Sequence, residues 1–339
     1  MWENEKIDYD AFSPKTLVVG VGGQGSNLIN RLSSHGLKSA STLAINTDLA
    51  HLNMIKADKK ILIGREINKG LGAGGFPEVA ARCAESSKRD IENALSGYDL
   101  IFISAGMGGG TGTGAAPVIA QVARDLGATT ISTVTYPFAL ERSRKAKAEW
   151  GIEELSRYSD TVIVIENDKL LSYVPNLPMD KAFEVVDNIT GNAVKNIADA
   201  ITLPSLINLD YADLKTIVSN TGTAMINIGM GSGPDRVKQA IKSTQDHPLL
   251  TADTDNAKGA LVHVIGGGNL TISEATQIGE GVTEGMAGNA NVIFGARMVP
   301  ELNDQIRVMS VVTGVKARFG SKPEESVSAL KIEGLQTVY

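Results

Sequence analysis

Two rhythms alternate along the chain. From Thr16, short runs of apolar and β-branched residues give way to stretches whose apolar positions recur every three or four residues, and the exchange repeats several times. "TLVVGVGG" reads as a strand ending in glycines, followed by the helical "SNLINRLSSHG". "STLAINTD" and "KKILIG" are two further strands, and "KGLGAGG" leads into a helix over 77–95. "DLIFISAG" is continuously apolar, as a strand covered on both faces must be, and it runs through "GMGGGTGTGAAP" into the helix "AAPVIAQVARDLG". "TTISTVTYP" and "DTVIVIEND" are strands with the helical "RSRKAKAEWGIEELSRY" between them. This alternation predicts an α/β fold with a doubly wound, mostly parallel sheet. Ligands bind such sheets at the carboxyl ends of the strands, and there the glycines and polar residues collect.

A long helix is predicted over 180–203, where Phe183, Val186, Ile189, Ala193, Ile197 and Ile201 share one face and Pro204 closes the pattern. At 1.5 Å per residue it would span about 35 Å, enough to cross a domain. Beyond it, strands at "TAMINIGMG", "GALVHVIGGG", "ANVIFGARMV" and "QIRVMSVVTGV" alternate with helices near 235–242 and 273–286, describing a second α+β domain. The expected organisation is an N-terminal extension (1–15), a nucleotide-binding domain (16–178), a central helix (179–203), a C-terminal domain (204–317) and a short polar tail (318–339).

Composition narrows the picture. The 339 residues suffice for two domains, and the net charge of −6 argues against nucleic acid or an anionic membrane as a partner held by bulk charge. Cys83 is the lone cysteine, and the four histidines form no ligand-spaced pair, so neither a disulfide nor a protein-built metal site is expected. No run of about 18 apolar residues suggests a membrane span. A soluble, cytoplasmic protein is the expectation.

Gly106 to Gly114 holds six glycines in nine residues. A second loop, "GVGGQGSN", follows the first strand and alone resembles a dinucleotide fingerprint, with Asp48 placed to act as its ribose acid. One pyrophosphate needs one such loop, however, and a third glycine stretch lies at 70–75. Three loops at one sheet edge suit a chain of two or three phosphates held by backbone N–H groups. Neither long loop has P-loop spacing and no lysine enters 106–114, so amides, helix N-termini and a bound cation would meet the charge, with Thr111 and Thr113 adding hydroxyls.

"NLDYADL" places Asn208, Asp210 and Asp213 just past the long helix. Two carboxylates at this spacing can orient a water for attack on a phosphoryl group, or one can cap the helix that follows. If the long helix crosses the domain, these acids lie too far from their own chain's glycine loops to act there, and could serve only a nucleotide held by another subunit.

Taken together, "GGGTGTG" at 108–114, "NTD" at 46–48, "KGLGAGG" at 69–75, "PF" at 137–138 with Glu141, "NDKLL" at 167–171, "AFEVVDN" at 182–188, "NLDYADL" at 208–214 and "VVTGV" at 311–315 resemble the tubulin/FtsZ superfamily, in the form typical of FtsZ. The resemblance runs from about Leu17 to Val315. It implies a cell-division GTPase that binds GTP or GDP with Mg2+ on the phosphates. It further implies a head-to-tail homopolymer, cytoplasmic at the mid-cell division site and attached to membrane through tethering division proteins. By the same resemblance, Gly22, Gly23, Gly25 and Asn27 with Gly106, Gly108, Gly109, Gly110, Thr111, Gly112 and Thr113 would line the phosphates, and Gly72, Ala73 and Gly74 would sit by the γ-phosphate. Asn46, Asp48 and Pro137 belong to matching segments, Glu141 would contact the ribose, Asn167 and Asp187 would bond the guanine, and Phe183 would stack on it. Asn208, Asp210 and Asp213 would complete the GTPase site of the next protomer.

The chain departs from that pattern at a few positions. Gln24 and Ser26 stand where the family usually has glycine, and their side chains could themselves bond phosphate. Arg142 replaces the usual glycine after Glu141, and Lys145 the usual arginine, supplying charge without a bidentate fork. A GTP-binding scaffold of the same fold with little turnover is the alternative to an active polymerising GTPase.

Overall fold

The structure is a computed structural model describing residues 14–34, 36–169, 178–203, 205–207, 209–219, 221–246, 249–254 and 257–317. The side chains of residues 179, 180, 182, 183 and 186 are not among those described, and the expected N-terminal extension and tail fall almost wholly outside.

Strands β1 (Thr16–Val21), β2 (Ser41–Asn46), β3 (Lys59–Leu62), β4 (Leu100–Gly106), β5 (Thr129–Tyr136), β6 (Thr161–Glu166), β7 (Gly222–Ser232), β9 (Gly259–Gly266), β10 (Asn291–Met298) and β11 (Gln305–Thr313) form one sheet. Its order is β10-β9-β11-β7-β6-β5-β4-β1-β2-β3. From β3 to β7 all pairings are parallel; β11 runs against both β7 and β9, and β10 is parallel to β9. The second α+β unit therefore extends the first sheet, joined where Thr161 to Ile163 of β6 pair with Gly222 to Ala224 of β7. The two-residue strands β8 (Ala252–Asp253) and β12 (Lys316–Ala317) pair separately.

Helices cover both faces, which is why the inner strands carry no polar alternation. On one side α4 (Pro77–Ser86), α5 (Lys88–Leu95), α6 (Thr111–Asp125) and α7 (Arg142–Ser156) bury Ala80, Ile91, Ala116 and Ile152 against Val19, Ile103 and Val134. On the other side α1 (Gly22–Ser34), α2 (Leu49–Met54), α8 (Met179–Thr202) and α9 (Tyr211–Val218) bury Leu28, Leu52, Ile197 and Leu214 against Val18, Phe102 and Ile163. A smaller core gathers α10 (Arg236–Asp246) and α11 (Ile272–Thr283) on β9, β10 and β11. A four-residue helix α3 (Arg65–Asn68) precedes the third glycine stretch.

Three local expectations are corrected. The helix expected over 77–95 is two, because Ser87 leaves helical geometry (φ −108°, ψ 14°) and its Oγ accepts the Gly64 N–H at 3.1 Å. The glycines of the first loop form the opening turn of α1, and the Gly112 and Gly114 positions already belong to α6. Both loops are thus shorter than their composition implies, because the glycines serve close helix packing as well as chain reversal. Gly114 shows why: a Cβ there would collide with the Pro77 carbonyl of α4.

Gly114→Ala is therefore expected to push α4 from α6 and lower stability by about 1–3 kcal/mol, the usual cost of overpacking, read from the shift in a urea unfolding midpoint.

Candidate functional site

Everything at the carboxyl edge of the sheet begins from backbone packed against backbone. Gly22 opens α1 at φ +74°, and a Cβ there would lie 2.9 Å from the Gly112 nitrogen, so the N-termini of α1 and α6 abut. A Cβ on Gly25 would strike the Ser104 carbonyl of β4, and one on Gly110 would lie 2.9 Å from the Ala73 Cβ. The 106–114 stretch thus packs against both of the other glycine stretches. Around Gly23, Gly109 and Gly72, by contrast, nothing lies within 4 Å of where a side chain would be. Two helix N-termini aimed at open space make an anion site: their first N–H groups have no helical acceptor and the helix dipoles favour negative charge.

Side chains fasten this edge. Thr47 Oγ1 and Thr111 Oγ1 are 2.7 Å apart, joining the end of β2 to the start of α6. Asn68 Nδ2 donates to the carbonyls of Thr47 (3.1 Å) and Gly72 (3.0 Å), and the Gly72 N–H also donates to Thr47, so residues 68–72 are held to β2. Asn46 Oδ1 accepts from the Thr47 and Asp48 amides, and Asp48 caps α2 by accepting the His51 N–H. Lys147 Nζ donates to the Gly75 carbonyl at 2.8 Å and lies over the Phe76 ring.

Several expected phosphate ligands have other work. Gln24 Oε1 accepts from Thr135 Oγ1 at 2.7 Å and leans on Gly106, so its carbonyl ties α1 to β5. Ser26 differs from these: it is fully buried and its Oγ has no hydrogen-bond partner, so it is not otherwise engaged. Thr113 is also buried, and its Oγ1 accepts the Gly108 N–H at 2.9 Å, shaping the loop from inside. Gly108 itself sits at φ +94° beneath the Arg144 backbone. Glu141 is half-buried, with one carboxylate oxygen accepting the Phe138 N–H and the other the Arg144 guanidinium at 2.6 Å. Lys145 lies over Tyr136, 6.0 Å from the ring centroid. Pro137 is buried beside them.

Past β6, Asn167 is buried and its Oδ1 has no hydrogen-bond partner, an unmet acceptor of the kind a bound ligand satisfies. Asp187 on α8 is only 8% exposed, and burial raises its carboxyl to about 6 against the pull of Arg31, whose Nε donates to it at 3.3 Å. Arg31 also faces Glu184 at 3.4 Å, binding α1 to the start of α8. The side chain expected to stack, Phe183, lies outside the described residues, as does Asn208.

Asp210 and Asp213 lie elsewhere. Asp210 caps α9, accepting the Asp213 N–H at 2.7 Å, and both carboxylates are exposed. The next residue, Tyr211, pins the helix: its hydroxyl donates to the Asp99 carbonyl at 2.8 Å and lies 2.8 Å from Thr129 Oγ1. Asp99 precedes β4 and Thr129 opens β5. The acids therefore stand at the amino edge of the sheet, separated from the glycine loop by the seven residues of β4, about 20 Å at the usual rise per residue.

Arg31, His51, Asn68 and Arg144 carry parts of this site and were not singled out from the sequence. Only Arg31 left a signal there, since it falls one helical turn beyond Asn27. Among the described residues no group of three or more His, Cys, Asp or Glu could hold a metal ion, and no helix is long and apolar enough to cross a membrane.

Comparison with known proteins matches this architecture to the Tubulin/FtsZ family, GTPase domain, over residues 15–175. Fold and glycine edge thus define a protein of the tubulin/FtsZ class. A second match, to the FtsZ family C-terminal domain over residues 222–316, narrows it, and the chain belongs to the FtsZ family. It is 52% identical over 306 residues to cell division protein FtsZ 2 of Methanocaldococcus jannaschii, covering 89% of this chain and 80% of that one. It is 48% identical over 325 residues to cell division protein FtsZ 1 of Pyrococcus furiosus, covering 96% and 87%. An empty FtsZ dimer from M. jannaschii superposes with a TM-score of 0.86 at 41% identity, covering 93% of this chain and 95% of that one.

The raised Asp187 carboxyl has a measurable consequence in the unliganded protein. A raised acid favours folding most below its ordinary value of 3.8 and loses that contribution as pH rises through about 6. Asp187→Asn should therefore stabilise the unliganded protein at pH 8 by up to roughly 3 kcal/mol, with the gain vanishing below about pH 4 in urea titrations across that range.

Proposed function

We propose that this chain binds GTP across the abutting N-termini of α1 and α6 and hydrolyses it only where a second copy, stacked head to tail, brings Asp210 and Asp213 to the γ-phosphate. The observation that carries the proposal is the Tyr211 anchor, which holds the acid pair at the amino edge while the glycine loops occupy the carboxyl edge. One molecule then has both halves of a hydrolytic site and cannot join them. The abutting helix termini and the open space over Gly23, Gly109 and Gly72 would take the phosphates, and Gly72, Ala73 and Gly74 would border the γ-phosphate. Asn167 and Asp187 would face the guanine, whose N1–H and exocyclic amine offer two donors to a carboxylate where adenine offers no such pair. Mg2+ on the phosphates would supply charge neutralisation there.

Both ends also expose apolar side chains suited to a junction. Leu49, Leu71 and Phe76 surround the glycine edge, Leu71 at 85% exposure. Leu206 and Met298 flank the bridge between Ile207 and Ala296, beside the segment that leads to the acids. A heterologous contact of this kind propagates as a filament. The M. jannaschii FtsZ dimer supports self-association and the cell-division names of the relatives support a part in division; filaments at the division site in the cytoplasm, with membrane-tethering division proteins as further partners, complete the proposal.

Asp210→Asn keeps a helix-capping side chain but removes the charge. It should leave GTP affinity within about twofold while cutting turnover by roughly a hundredfold or more, on the order of a lost catalytic group. Wild-type turnover per molecule should rise with protein concentration above a threshold, and a rate independent of concentration would refute the shared site. Mixing Asp210→Asn with a Gly112→Ala variant that cannot hold phosphate should restore part of the activity, because each supplies the half-site the other lacks.

A further inference from the structure

His51 stands between two of the asparagines at the glycine edge, and the hydrogen bonds around it leave only one arrangement of protons. The chain of logic starts at the backbone. Asn46 Oδ1 accepts from the Thr47 amide at 2.8 Å and the Asp48 amide at 3.2 Å, which fixes the side-chain amide of this buried residue with its Nδ2 outward as donor. That Nδ2 meets His51 Nδ1 at 3.1 Å, so Nδ1 must accept and the ring proton must sit on Nε2. His51 Nε2 then donates to Asn27 Oδ1 at 3.0 Å. With its oxygen so engaged, Asn27 turns its NH2 group to the exposed side of α1.

The position of Asn27 says what that NH2 group faces. Gly23, Asn27 and Arg31 are successive fourth residues on one stripe of α1, about 6 Å apart along the helix. Gly23 marks the open space above the helix N-terminus, and Arg31 reaches Asp187 on α8. Asn27 lies midway between the place for phosphates and the place for the base.

We propose that His51 is a positioning residue that holds Asn27 with its amide donors presented to an acceptor atom of the bound nucleotide, at its ribose or the adjoining edge of its base. The inference rests on the nucleotide site proposed above and adds to it a direction of hydrogen bonding and a residue that sets it. His51 touches no nucleotide atom in this scheme; Asp48 fixes its helix, Asn46 its tautomer, and Asn27 carries the result to the ligand.

The test is a double-mutant cycle read as GDP affinity at low protein concentration, where copies do not assemble. His51→Ala should weaken GDP binding about five- to tenfold, the worth of one hydrogen bond, and Asn27→Ala at least as much. The double variant should bind no more weakly than Asn27→Ala alone, since His51 acts only through Asn27. His51→Gln, whose amide can still donate to Asn27, should recover most of the loss, which a purely structural role would not predict. Asn27→Asp, which puts an acceptor where a donor is needed, should bind more weakly than Asn27→Ala. Additive losses, or no loss in His51→Ala, would overturn the positioning role while wild-type GDP binding upholds the site. Wild-type affinity in Asn27→Asp would overturn the donor direction. Failure of the wild-type protein to bind GDP would overturn the nucleotide site itself.

Discussion

The absence of a side chain at Gly22, Gly25, Gly110 and Gly112 is the constraint on which the carboxyl edge depends. Each sits where a Cβ would crowd another part of the edge: the Gly112 nitrogen, the Ser104 carbonyl, the Ala73 and Phe76 region and the Gly106 carbonyl. Because no side chains intervene, two helix N-termini come together and their unpaired amides point at a common space. Glycine costs about 0.5–1 kcal/mol per ordered residue relative to alanine, and concentrating that cost at one edge brings helix N-termini together without a single cation in the 106–114 loop. Of the side chains around it, Thr113 and Asn68 bond backbone groups of the edge, while Gln24 and Thr47 bond the hydroxyls of Thr135 and Thr111.

At the other end of α1 the electrostatics differ in kind. Asp187 is buried beside Arg31, and burial wins over the ion pair, so the carboxyl group is raised to about 6. A buried acid whose partner does not fully compensate it is destabilising in the empty protein. Together with the unmet acceptor of Asn167, it suits the base end of the proposed nucleotide site to a ligand with donors, while the helix N-termini at the proposed phosphate end favour negative charge. In the proposed site the two ends would therefore discriminate by different physics, one by hydrogen-bond geometry and one by field.

Much of the architecture was legible in the sequence. Every long strand was marked by an apolar run, and the parallel order followed from helices recurring between strands. That the glycine stretches gather at the carboxyl edge of the sheet was legible, though the extent of the loops was not, since glycine composition cannot say whether a residue turns the chain or packs a helix; Gly112 and Gly114 do the latter. Gln24 illustrates a second limit. A polar residue in a phosphate motif reads as a ligand, and only the nearness of Thr135, distant in sequence, shows that its carbonyl is already bonded. Ser87 illustrates a third, because the periodicity of 77–95 runs unbroken through a residue whose hydroxyl is drawn to Gly64. His51 and Asn68 carried no motif at all; their roles come from partners assembled by the fold.

The Tyr211 hydroxyl joins α9 to the starting points of β4 and β5, and the glycine loop continues directly from the end of β4. One strand, buried on both faces and flanked by parallel neighbours, therefore connects the two proposed half-sites as a stiff rod of fixed length. In the head-to-tail assembly proposed here, the distance from one nucleotide to the next is set by the width of a β-sheet rather than by flexible segments. Loss or retention of the γ-phosphate can then alter how successive molecules meet, but not the spacing within each one. In that proposed assembly the sheet would serve as a ruler, leaving bending to the junctions between copies.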